Sequence, residues 1–221
     1  KNLKEKIENN NYKIHKNFCP LIAVPTTAGS GAEATSNAVI YINKIKYSIE
    51  NNLIKPNYIM IDPNLIFTTP KNIASASGMD AIAQALESLL SKKSTSESAE
   101  FSKKSLQFSL NFFESHINKK SFETSYKMSL AALNAGKAIN ISKTTAPHAV
   151  SYPFTSYFGI KHGHAVSLTL SDFLNYNFIN LHKAKTNFNL KERFKIIFKI
   201  FNVNSINELE SKINKIASNV G

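Results

Sequence analysis

SGMDAIAQALESLLS, residues 77–91, is the stretch in which the chain changes its period. Met79, Ala83, Leu86 and Leu90 recur at three- and four-residue intervals, which collects apolar side chains on one face of a helix. Ser77 stands at the start of that run as a candidate cap. Asp80, Gln84 and Glu87 follow at i, i+4 and i+7 and share a second face. They form either a solvated polar stripe or, from half-buried positions among Ala, Ile, Met and Leu, a set of oxygens aimed into a site. A carboxylate buried there needs a partner.

Upstream of Pro70 the apolar runs are short and read as strands. LIAVP (residues 21–25) is expected to be a buried strand stopped by proline. NAVIYI (37–42) and IKYSI (45–49) form a candidate strand pair, and NYIMIDP (57–63) a further strand ended by Asp-Pro. Residues 1–17 read as a polar helix end and a loop. Downstream, helical periodicity continues through 96–117, 125–141, 164–179, 191–201 and 206–218. Strands first and helices afterwards predict two units, 1–70 and 71–221.

Three of the six histidines lie in TTAPHAVSYPFTSYFGIKHGHA, residues 144–165. His148 follows Pro147 and is expected to open a helix. His162 lies in KHGHA, where Gly159 and Gly163 mark a turn and Ala165 begins the next helix. The two are fourteen residues apart, which is no zinc-finger interval, and no paired cysteines accompany them. Imidazoles at successive helix starts either converge on a metal or pack separately, and spacing does not decide. His164 is assigned to the turn or the site edge, and His15, His116 and His182 to the surface. VPTTAGSGAEAT (24–35) is a strand followed by hydroxyls and two glycines. Such a turn holds a phosphate or ribose on its N–H groups and hydroxyls, or it is simply a tight capped turn. It is neither a P-loop nor G-x-G-x-x-G.

The composition, 43% hydrophobic and 19% charged, is that of an ordinary globular protein. No apolar run reaches the roughly 18 residues of a membrane span, and KNLKEKIENNNYK at the start has no apolar signal core. Cys19 is the only cysteine, so no intramolecular disulfide forms, in keeping with a cytoplasmic setting. The net charge of +12 comes from scattered lysines rather than a basic arm or a basic–aromatic ladder. Nucleic acid and membrane are therefore not expected as partners; an anionic small substrate suits the excess equally well.

Together, three segments resemble the iron-containing (group III) alcohol dehydrogenase family. PTTAGSGAEAT resembles the family's P-T-T-A-G-T-G-S-E-V-T, SGMDAIAQALES its G-M-D-A-L-x-H-A-I-E, and PHAVSYPFTSYFGIKHGHAVSLTL its H-x-x-x-H-x-L-G…P-H-G-x-x-N-A. Their order and separations fit over nearly the whole chain. The resemblance implies a dehydroquinate synthase-like fold of α/β plus all-α type. In it a dinucleotide-binding α/β domain, here partial (1–70), precedes a helical metal-binding domain (71–221), and the active site lies between them.

It also implies Fe²⁺ or Zn²⁺ and NAD(H) or NADP(H) as cofactors. Asp80, His148 and His162 match three metal ligands. Gln84 falls where the family has its fourth, a histidine, and offers a weaker carbonyl oxygen. Tyr152 stands where many members have a second histidine, one helical turn after His148, and is the candidate proton relay. Thr26, Thr27, Gly29, Gly31 and Lys46 match positions that contact the cofactor. Gln84 and Tyr152 both recur in a branch that reads G-x-D-A-x-x-Q-A-x-E-S and T-T-A-P-H-A-x-S-Y and is associated with phosphonoacetaldehyde reduction. Lys143 and Lys161 are candidate charges for a phosphonate.

The expected activity is reduction of that aldehyde to 2-hydroxyethylphosphonate. Alternatives are another small-aldehyde or polyol dehydrogenase, a related lyase, or a catalytically silent remnant. The family's glycine-rich pyrophosphate turn does not precede VPTTAGSG, and the chain does not begin with Met. It is expected to be the middle and most of the helical part of a longer enzyme that forms a homo-oligomer.

Overall fold

The computed structural model of the protein describes residues 3–9, 11–13 and 19–220. His15 lies outside them. A short helix, α1 (Leu3–Glu8), is followed by four strands: β1 (Ile22–Ala23), β2 (Asn37–Ile42), β3 (Ile45–Glu50) and β4 (Tyr58–Ile59). β2 and β3 form the expected antiparallel pair, with Tyr41 opposite Lys46. The connection puts Asn43 and Lys44 at positive φ, the geometry that matches the twist of a two-residue hairpin. β1 and β4 pair in parallel over only two residues and are not joined to the hairpin. The expectation of a buried strand at LIAVP is therefore corrected. Leu21 and Ile22 are 41% and 58% exposed, since among the described residues this pair carries no third strand.

From Pro63 on, every regular element among the described residues is helical: α2 (Pro63–Phe67), α3 (Lys71–Leu90), α4 (Ser96–Asn118), α5 (Phe122–Ser142), α6 (Ala146–Phe158), α7 (His162–Ile179), α8 (Leu190–Phe201) and α9 (Ile206–Val220). Local chemistry sets their starts. Asp62 caps α2, accepting from the Asn64 N–H at 2.9 Å, with Pro63 in the first turn. Reciprocal capping boxes open α4 (Thr95 with Ser98) and α5 (Ser121 with Thr124). Gly159, at φ 70°, closes α6 in the left-handed conformation. Ser77 caps nothing. It lies inside α3, whose first turn follows Pro70.

α3 is the central helix. α4, α5 and α7 all pack against it, so Met79, Ile82, Leu86 and Leu89 are fully enclosed. The core continues through Leu106 and Phe113 of α4, Met128 of α5, Val166 and Leu170 of α7, and Phe194, Ile197 and Leu209 of α8 and α9. Full burial of each such side chain stabilises by about 1.5–3 kcal/mol. His116, expected at the surface, is instead 1% exposed inside α4. His182 is exposed as expected. Among the described residues no helix is long and apolar enough to cross a membrane.

The turn at residues 26–36 is stitched to the helices. Thr69 donates to the Thr26 carbonyl at 3.1 Å, and both the N–H and hydroxyl of Ser36 donate to Asn140 of α5 at 2.9 and 3.1 Å. Gly31 adopts φ 60°, and a β-carbon there would fall 2.5 Å from the Cα of Gly136 in α5. Only a glycine pair permits that approach.

Candidate metal centre

Because α3 is enclosed, its polar face cannot be a solvated stripe. Asp80, Gln84 and Glu87 are 5%, 3% and 2% exposed. Three buried polar side chains along one helix need partners from elsewhere; the start of α6 supplies them for Asp80 and Glu87, and the Ser30 carbonyl for Gln84. Pro147 sits in the first turn of α6, and the next residue, His148, reaches α3 between two carboxylates. Its Nδ1 bonds the Glu87 carboxylate and its Nε2 lies 3.2 Å from Asp80 Oδ1. The second Glu87 oxygen accepts from the Thr145 N–H at 2.5 Å and the Thr145 hydroxyl at 2.9 Å.

α7 begins at His162, and Gly163 lies within its first turn rather than in the preceding loop. A β-carbon at Gly163 would stand 1.8 Å from the Ala76 carbonyl oxygen and 3.1 Å from Cβ of Asp80. The missing side chain is what lets α7 rest on the backbone of α3 and bring His162 to the acid. The rings of His148 and His162 meet edge to face with centroids 5.3 Å apart. Ser151 donates its single hydroxyl proton to the His148 carbonyl at 2.7 Å, so it can only accept from His162 Nδ1, 3.4 Å away. That leaves the His162 Nε2 lone pair free. Donor atoms of Asp80, His148 and His162 all lie within 4.8 Å of one another.

These residues fit a divalent cation. Ligands about 2.1 Å from one ion stand roughly 3.0–3.5 Å apart; the 3.2 Å between Asp80 and His148 meets that spacing, and the wider spread of up to 4.8 Å reaches it when the side chains draw in on an ion, while two imidazoles with a carboxylate suit Fe²⁺ or Zn²⁺. Both histidines also have the outer partner that fixes a ligand's tautomer. Gln84 sends its amide N–H to the Ser30 carbonyl at 3.3 Å, and its Oε1 is buried without a hydrogen-bond partner.

Charge follows the geometry. Burial pushes the His148 pKa down, but the Glu87 charge and the hydrogen bonds to Asp80 and Glu87 outweigh it, raising it to about 9. His162 is pushed below the usual value by burial, with His148 and Lys46 adding to the effect and Asp80 and Glu87 opposing it. The Tyr152 ring lies nearly parallel to His162, centroids 6.1 Å apart, and carries the Lys46 ammonium 3.2 Å from its centre. Burial, then the charges of Glu87, Tyr41 and Asp80, raise the Tyr152 pKa. Burial lowers that of Lys46 to about 8 against the pull of Asp80.

Thr26 is exposed and Thr27 half-buried, whereas Gly29 and Gly31 are buried against α3 and α5. Lys143 bonds Glu50 instead of offering a free charge. His164 lies inside the first turn of α7, half-buried, with its Nε2 unpartnered. Sequence reasoning placed Glu87 on the right face but gave it no task, and it missed Thr145 and Ser151. The signals were present: a second acid in helical register, and hydroxyls three residues to either side of His148.

The chain resembles known proteins along its length. Residues 74–220 match the C-terminal model of the Fe-containing alcohol dehydrogenase family, and residues 1–63 match the model for iron-containing alcohol dehydrogenase. Over 161 residues, 71% of this chain, it is 31% identical to the phosphonoacetaldehyde reductase of Streptomyces viridochromogenes, covering 40% of that protein. It is 30% identical over 167 residues, 74% of the chain, to the 1-propanol dehydrogenase of Citrobacter freundii, covering 45%. The crystal structure of sulfoacetaldehyde reductase from Bifidobacterium kashiwanohense in complex with NAD⁺ superposes with a TM-score of 0.80 at 30% identity, over 91% of this chain and 52% of that one. The chain thus spans less than half the length of these two curated relatives.

Proposed function

This chain belongs to the iron-containing alcohol dehydrogenase family, and we propose that it carries the metal-binding side of an NAD(P)H-linked aldehyde reductase. Residues 1–70 are then part of its nucleotide-binding domain and 71–221 part of its helical domain, in a homo-oligomeric cytoplasmic enzyme. The observation that carries this reading is the convergence of Asp80, His148 and His162 from three helices on one point.

In this reading Asp80, His148 and His162 hold Fe²⁺ or Zn²⁺, with Gln84 Oε1 as a fourth donor. Such an ion acts as a Lewis acid on a carbonyl oxygen, and a nicotinamide carries the hydride. The chain's own residues prepare the site. Glu87 and Thr145 hold the His148 ring in place, and Ser151 fixes the proton of His162 on Nδ1. Tyr152, its pKa raised, keeps its phenolic proton at neutral pH and is the donor to the product oxygen. Thr26, Thr27, the Gly29–Gly31 turn and Lys46 serve the dinucleotide.

Phosphonoacetaldehyde is the substrate best supported. Two of the relatives are named for an acetaldehyde bearing a strong acid group, and the half-buried Lys46 and the net charge of +12 suit an anion. A second reading, a simple aldehyde such as propanal, is supported by the comparable identity to 1-propanol dehydrogenase. Steady-state assay of the longer protein with both aldehydes distinguishes them. A kcat/KM at least about tenfold higher for phosphonoacetaldehyde is expected, a difference of some 1.4 kcal/mol. Preference for propanal overturns the substrate, and no NAD(P)H oxidation with any aldehyde by metal-loaded protein overturns the reductase.

A further inference from the structure

We propose that Gln84 is a two-ended tie between the metal centre and the turn at residues 28–31, so that filling the centre stiffens the turn. The inference rests on the reading that Asp80, His148 and His162 hold a divalent ion. Gln84 comes from α3 one helical turn after Asp80, on the same face, and is 3% exposed. Its Nε2 donates to the backbone carbonyl of Ser30, 54 residues earlier, at 3.3 Å. The amide orientation is fixed by chemistry, since a carbonyl oxygen only accepts and the nitrogen must face it.

The amide oxygen, Oε1, is therefore turned away from that carbonyl, and it is buried with no hydrogen-bond partner. A buried acceptor without a donor is uncommon in a folded protein and calls for a Lewis acid or a proton. Asp80, one turn earlier on the same face of α3, belongs with the two histidines to the group of donor atoms that would hold a cation.

The turn is anchored at its two ends, by Thr69 on Thr26 and Asn140 on Ser36, and Gln84 holds its middle. Gly29 and Gly31 lie flat against Ser77 of α3 and Gly136 of α5, with no side chain to interlock. Among the described residues no other side chain bonds the backbone of residues 28–31. A cation on Oε1 draws electron density from the carbonyl, which makes the amide N–H a stronger donor to Ser30 and removes the remaining torsional freedom of the side chain. Coupling of this kind is reciprocal: any ligand that orders the turn tightens the ion by the same factor. Gln84 is thus a positioning residue for the turn as well as a candidate ligand.

The test is amide hydrogen exchange over residues 28–36 of the 221-residue chain, with and without Zn²⁺, in the wild type and in Gln84→Glu. Zn²⁺ affinity is measured in parallel by chelator competition. Gln84→Glu keeps an oxygen for the cation but turns an unprotonated oxygen toward Ser30. Wild type is expected to exchange roughly tenfold more slowly when loaded, the protection of about one hydrogen bond, while Gln84→Glu binds Zn²⁺ without slowing. Zn²⁺ binding that leaves wild-type exchange unchanged overturns the tie alone, as does equal slowing in the variant. Failure of the wild type to bind Zn²⁺ overturns the metal reading and the tie with it. The wild-type comparison stands even if the variant misfolds.

Discussion

At the scale of single residues, His148 concentrates the chemistry. Without a cation it is held between two carboxylates and keeps its proton to about pH 9. Its folded pKa exceeds the ordinary value of 6.5, so its contribution to stability is complete below pH 6.5 and fades as pH rises toward 9. The metal-free protein should therefore lose denaturant resistance across that window, and Glu87→Gln should flatten the loss. A stability profile that stays level from pH 6.5 to 9 in the metal-free wild type contradicts the pairing. Glu87 also predicts a metal effect. Its removal should weaken Zn²⁺ binding by about ten- to a hundredfold, the usual consequence of losing a ligand's outer partner. The helical register of Asp80, Gln84 and Glu87 was legible in the sequence, but whether that face was wet or dry was not. Enclosure of α3 by helices as distant in the chain as α8, about a hundred residues further on, decides it.

Elements show the same division. Turn and periodicity signals located the β2–β3 hairpin and α3, α4, α5, α7, α8 and α9, because these depend on neighbours a few residues away, whereas of α6 they marked only an opening near His148. The start of α3 was misjudged at Ser77, since the segment from Lys71 becomes helical through burial of Ala74, Ser75 and Ala76 rather than through a capping side chain. His116 was misjudged for a related reason. Glu114, Ser115, Asn118 and two lysines stand near it in the chain, but α4 turns it inward. Burial, with Lys120 adding to it, lowers its pKa to about 4. The unfolded chain therefore binds one more proton between pH 6.5 and 4, and stability should fall as pH drops through that window. The full 2.5-unit difference from 6.5 is worth about 3 kcal/mol at most. Urea unfolding of His116→Gln beside wild type checks this, the variant showing the shallower acid limb.

Packing between α3 and α7 yields a second prediction at this scale. Gly163→Ala puts a methyl group 1.8 Å from the Ala76 carbonyl oxygen. Backbone must move, at about 1–3 kcal/mol. Thermal unfolding should register that loss together with weakened metal binding, whereas unchanged values for both would show that the two helices do not meet there.

Across the whole molecule, the candidate site is a property of topology. Asp80 and His148 are 68 residues apart in the chain and 3.2 Å apart in space. No periodicity or spacing within either segment encodes that meeting. The three ordered motifs point to the segments that meet, and the fold supplies the reason: α6 and α7 both begin beside α3, the first held by the bonds of Thr145 and His148 to Glu87 and the second by the glycine contact. Tyr152 stacks on His162 of the same cluster, and Gln84 shares the buried face of α3 with Asp80.

The most direct measurement is metal stoichiometry and affinity of the 221-residue chain, titrated with Zn²⁺ or, without oxygen, Fe²⁺, in wild type, Asp80→Ala and His162→Ala. One tightly bound ion per chain in the wild type, weakened by at least about a hundredfold in each variant that remains folded, is the predicted result. Equal binding in all three proteins, or none in the wild type, would contradict the centre on which the function has been built.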